Sequence, residues 1–140
     1  MTQGIGQDEL DRLFTAALEA AVARLEKDGH FFPLMFELRR DGTIQAVAML
    51  ETGAFAGDAV GRMFGVLRQR GEEGLIRGAA IACHLTTDDQ VEVRVRAPNY
   101  ASDIIVPFSI ATSGLIRRRR KLTLGEFEAR GAANEVFPAD

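Results

Sequence analysis

From Leu10 onward, apolar residues recur at helical spacing. Leu10, Leu13, Phe14, Ala17, Leu18, Ala21, Val22 and Leu25 follow the i, i+3, i+4, i+7 rhythm of one buried helix face and predict a helix over Asp8 to Asp28. Asp8 reads as its N-cap, Asp8, Glu9 and Asp11 suit the positive helix start, and Gly29 supplies a left-handed stop. Residues 1–7 read as a loose polar tail. The rhythm then shortens to alternation. Phe31 to Arg40 predicts a strand with Phe32, Leu34, Phe36 and Leu38 on one face and Glu37 and Arg39 on the other. Asp41-Gly42 is a two-residue hairpin signal, and Thr43 to Leu50 returns with Val47 and Met49 on the Phe36 face.

Thr52 to Gly57 is a loop of small residues, and Asp58 is placed to cap a second helix running to Arg70. Its buried stripe is Val60, Met63, Phe64 and Leu67, and Gly71-Glu72-Glu73-Gly74 ends it. Strands follow over Leu75 to Thr86, Val91 to Ala97 and Ile104 to Ile110, with a further one over Leu115 to Leu124. Val91, Val93 and Val95 point inward, and Glu92, Arg94 and Arg96 outward. Pro107 lacks an amide donor, which places its strand at an edge or a bulge. Residues 125–140 are ambiguous, with Phe127, Val136 and Phe137 as anchors if they fold back.

The expected architecture is a single α+β domain over residues 1–140, a two-layer sandwich. An antiparallel sheet of five or six strands carries two helices on one face, in the order α-β-β-α-β-β-β, with an eighth element as a further strand. The opposite face would be free for recognition. In element order alone the chain resembles profilin-like and roadblock-type folds, a likeness of layout that transfers no function.

Composition changes this picture little. With 46% hydrophobic and 26% charged residues the chain suits a globular domain, and no apolar run approaches the ~18 residues of a membrane span. No secretory signal is visible at the start. The one cysteine allows no intrachain disulfide and fits a reducing cytoplasm. Residues 1–60 hold 5 basic and 10 acidic side chains and residues 61–140 hold 12 and 10, so neither half suits a general nucleic-acid binder. Fifteen of the 17 basic residues are Arg, which fits a bacterial-like genome composition.

Candidate chemistry is sparse. Cys83 and His84 are adjacent on a strand, so they point to opposite faces and form no dyad; Cys83 shares the face of Ile81 and reads as a buried, inert thiol. His30 follows the first helix stop, where a positive charge suits the helix end. No zinc spacing is present, and no metal or other cofactor is expected. Gly57, Gly61 and Gly65 form a stripe on the second helix, for close packing either against the first helix or against a second copy of the chain. The run Arg117 to Lys121 reads as a guarded edge strand. With Arg94 and Arg96, its Arg117, Arg119 and Lys121 are candidate anion-binding residues. Phe55 and Tyr100 are candidate binding aromatics in loops, and Asp103 and Glu37 are the carboxylates nearest apolar strands.

Three functions are compatible with these residues. The leading expectation is a non-catalytic binding or adaptor module, a homodimer with a possible protein partner and no membrane association. The second is a small enzyme using His30 or His84 as base with strand arginines holding an anionic substrate. The third is weak nucleic-acid contact through Arg117 to Lys121, whose affinity would fall steeply with salt.

Overall fold

The structure, a computed structural model, describes residues 6–47, 59–85, 88–114 and 119–138. Two helices and seven strands follow in the order α1 (Gln7–Asp28), β1 (Leu34–Arg39), β2 (Ile44–Val47), α2 (Ala59–Glu72), β3 (Ile76–Leu85), β4 (Gln90–Ala97), β5 (Tyr100–Ser113), β6 (Arg119–Leu124) and β7 (Glu128–Gly131). The strands form one antiparallel sheet ordered β2-β1-β3-β4-β5-β6, with β7 also pairing to β5. The α+β class, the antiparallel sheet and the element order are as the sequence predicts. The seventh strand, β7, arises from the segment whose sequence was ambiguous.

α1 begins one residue earlier than expected, and its N-cap is Gly6 rather than Asp8. The Glu9 carboxylate accepts the Gly6 amide at 3.4 Å, which satisfies a helix-start donor. Gly29 closes the helix at φ 80°, donating to the Leu25 carbonyl at 2.8 Å. Leu13, Ala17, Ala21 and Leu25 of α1 are buried against Phe36 and Leu38 of β1, Ala80 and Ala82 of β3, and Val91, Val93 and Val95 of β4. This is the main core.

A second core lies on the other side of the sheet. Met63, Phe64 and Leu67 of α2 pack on Met35 of β1 and on Ala79, Ile81 and Cys83 of β3, with Val136 closing the cluster. Strand neighbours alternate between faces, so Phe36 with Ala80 and Met35 with Ile81 mark opposite sides. The two helices therefore cover opposite faces instead of sharing one, and the free face expected from the sequence does not exist as such. The helix-to-helix account of the glycine stripe goes with it. β3 explains the difference: apolar or small side chains occupy nearly every position from Ile76 to Cys83, the signature of a strand covered on both sides.

The β1–β2 register also differs by one residue. Arg39 donates to the Thr43 carbonyl at 2.8 Å and Gly42 to the Arg39 carbonyl at 2.9 Å, so the loop is Arg40-Asp41-Gly42, with Gly42 at φ 89°. A three-residue loop ending in a left-handed glycine replaces the two-residue turn. Ala46 then faces Phe36, and Val47 pairs with Met35 on the α2 side. Met49 lies outside the described residues, as do Phe55, Asp58 and Arg117.

β5 is an interior strand, despite Pro107. Its first half pairs with β7 through Ser102 to Ile105, and its second half with β6 through Phe108 to Ser113. Pro107 stands at the change of partner. Its carbonyl accepts the Gly125 amide at 2.7 Å, and its missing donor falls where neither ladder needs one.

Candidate functional site

α2 covers the β1–β3 half of its face and stops short of β4. Beyond its flank lies an open groove of about 620 Å³ bordered by Val60, Gly61, Phe64, Gly65 and Arg68 of α2, by Arg94 of β4 and by Glu135 of the C-terminal segment. The Phe64 ring joins the two sides. The Arg96 guanidinium lies 5.2 Å and that of Arg94 5.9 Å from its centroid, in cation–π contact.

Arg96, expected to point outward to solvent, is 1% exposed. Its charge is met from every side. Nε donates to Glu135 Oε1 at 2.7 Å, Nη2 lies 2.8 Å from Asp103 Oδ1, and Nη1 donates to the Val95 and Ser102 carbonyls at 3.1 Å each. The Asp103 contact is an ion pair without hydrogen-bond alignment, which leaves Oδ1 buried and without a hydrogen bond. Burial opposes ionisation of Glu135, but the hydrogen bond and charge of Arg96 outweigh it and hold the carboxyl below its usual range. Arg94 is bound by Glu92 at 2.7 Å. The two strand arginines are thus neutralised at home and offer little to an anionic ligand.

Farther along the same face, Glu37 is 1% exposed and held by Arg70 in a two-pronged ion pair at 2.6 and 2.8 Å, with Arg39 at 3.1 Å. This pair clamps the end of α2 to β1. The sequence marked Glu37 and Asp103 as unusual but did not reveal their partners, which stand 33 and 7 residues away in the chain.

The imidazoles occupy the α1 face. His84 stacks on Phe31 at 5.4 Å and leans on Phe108 at 5.7 Å. Its Nδ1 is buried with no hydrogen-bond partner; burial, then the charge of His30, pushes its pKa down. His30 sits edge-on to Phe32 and lines a hollow of about 80 Å³ with Arg24 and Asp28. His30 lies near enough for its charge to act on His84, but Arg94 and Arg96 lie across the sheet from His84. The hollow is also far smaller than the roughly 300 Å³ at which substrate pockets begin. Cys83 is buried, and loss of solvent pushes its thiol up to about 12, so it stays protonated and inert. Among the described residues no group of three or more His, Cys, Asp and Glu is placed to hold a metal ion, and no helix is long and apolar enough to cross a membrane.

The described part of the basic run, Arg119 to Lys121, divides between two faces. Arg120 turns to α1 and donates to the Lys27 carbonyl at 2.9 Å, placing positive charge at the helix C-terminus. Arg119 and Lys121 alternate with it, are exposed, and pair in register with Ser113 and Ala111. Tyr100 opens β5 and lines a separate cavity of about 280 Å³ with Phe14, Phe127 and Asp11, on the α1 side.

Compared with protein-family models, curated proteins and solved structures, the chain matches none.

Proposed function

We propose that this chain is a non-catalytic binding module that works as a homodimer, joined through the groove beside α2. One observation carries the reading: the flank of α2 at Gly65 is bare. Among the described residues a Cβ built on Gly65 meets nothing within 4 Å, so this glycine, placed within a helix at a propensity loss of about 1 kcal/mol, has no described neighbour to justify it. Close approach of a second helix is what an uncovered glycine flank permits.

The groove supports a self-complementary contact. Its rim carries Arg68 and Arg94 together with Glu135, and the neighbouring Val66 is exposed. In a two-fold interface the exposed Arg68 of one copy, held at home only by the exposed Glu72, meets the outer side of Glu135 of the other, and the reverse. The placements of Cys83, His84 and Arg96 in packing roles favour binding over catalysis. A cytoplasmic setting goes with the reading, since the single cysteine is a free thiol.

Sedimentation equilibrium tests it. The expected result is a dimer that Gly65→Leu converts to a monomer with unchanged helix content, because the subunit has room for the side chain. A wild-type chain that stays monomeric at millimolar concentration sinks the reading.

A further inference from the structure

From the cavity at the start of α1, on the face away from the groove, we infer that the chain binds an alkylated ammonium group. The cavity holds about 280 Å³ and its walls include three aromatic rings, Phe14, Tyr100 and Phe127. Phe14 and Phe127 meet edge to face at 5.5 Å and 62°, so their planes form two walls at an angle. Leu10 and Ile104 continue the apolar lining, and among the described residues Asp11 supplies its one charge.

Each element of this arrangement favours a cation. Aromatic faces are electron-rich and attract positive charge. Asp11 accepts a hydrogen bond from the neutral amide of Gln7 at 2.8 Å, which leaves its charge available. Among the described residues no Lys or Arg lines the cavity. The positive end of the α1 dipole works against a cation there, and the carboxylates of Asp8 and Asp11 oppose it.

The walls also select the kind of cation. A primary ammonium would lose water on entering and find few acceptors to replace it. A fully methylated, quaternary ammonium has no N–H groups to satisfy, so an apolar aromatic wall suits it. The frame is fixed from behind. Asn134 Nδ2 donates to the Ala97 and Tyr100 carbonyls at 2.8 and 3.2 Å, holding the turn that carries Tyr100. Phe127, 53% exposed, forms the outer wall.

Titration of the full chain by NMR, read at the ring resonances of Phe14, Tyr100 and Phe127, tests this with three probes: choline, its uncharged isostere 3,3-dimethylbutanol, and a short trimethyllysine peptide. The expected result is that choline or the peptide shifts all three rings and binds about tenfold more tightly than the neutral isostere. Tighter binding of the peptide assigns the group to a protein tail, and tighter binding of choline to a small molecule. Phe127→Leu and Asp11→Asn, both at exposed positions, should each weaken binding about tenfold without loss of fold. Equal affinity for the charged and neutral isosteres would mean a merely apolar cavity and overturn the inference. So would an absence of ring shifts at molar choline. Since the cavity and the α2 groove lie on opposite faces, neither outcome depends on whether the chain dimerises.

Discussion

Gly65 and Gly71 stand on the same helix in opposite surroundings. Around Gly65 there is open space, whereas a Cβ on Gly71 would lie 3.0 Å from Phe137 Cε1 and 3.5 Å from the Val136 carbonyl. The pair separates propensity from packing. In dilute, monomeric protein, Gly65→Ala should raise unfolding free energy by about 1 kcal/mol. Gly71→Ala should lose that gain and a further ~1 kcal/mol through displacement of the Phe137 ring. Urea titration of the two variants checks the difference in sign. His84 gives a second test at this scale. Its folded pKa lies below the ordinary 6.5, so the unfolded chain takes up the proton first. Stability from a neutral His84 is complete above about pH 6.5 and is lost as pH falls from there through the folded value. His84→Phe keeps the stack with Phe31 and should flatten the urea midpoint between neutral pH and pH ~5.5 relative to wild type. An unchanged slope would show that another group titrates.

At the scale of elements, the two helices and the strand alternation of β4 were legible because each writes its period into the sequence. Leu10 to Leu25 and Val91 to Val95 could be read alone. What failed to show were relations between elements. Asp41-Gly42 signals a turn but does not say whether two or three residues form it, and the choice of three moved Val47 to the other face. Pro107 signals a missing donor but not that two successive partners, β7 and β6, meet there. The α2 clamp was likewise invisible, since Glu37 and Arg70 lie 33 residues apart and carry no shared motif. Its strength can be measured. Arg70→Ala leaves the buried Glu37 carboxylate with only the half-exposed Arg39, and should cost about 3 kcal/mol. Arg70→Lys should recover only part of that, because an ammonium cannot reproduce the two-pronged contact.

At the scale of the molecule, the sheet is a partition between two cores that are closed differently. α1 spans its face nearly alone, with Leu122 of β6 packed at the margin. α2 is shorter, and its core needs the C-terminal segment: Val136 is fully buried against it and Phe137 lies on Gly71. The same segment supplies Glu135 to Arg96 and Asn134 to the turn before Tyr100, so four successive residues tie the groove, the buried charge and the aromatic cavity together. No periodicity announces such a segment, which explains why only its anchors, Val136 and Phe137, stood out in the sequence. Its removal should act on both faces at once. A chain ending at Ala133 exposes Met63 and Phe64, deprives Arg96 of one of its two carboxylates, and frees the Ala97–Tyr100 turn. Loss of the apolar burial and of one charged hydrogen bond together should cost at least about 3 kcal/mol. Hydrogen exchange should then quicken in α2 and in the first residues of β5 but much less in α1, whose core the segment reaches only through the Asn134 bonds to the Ala97–Tyr100 turn. Uniform quickening across both helices would show instead that the two cores unfold as one unit.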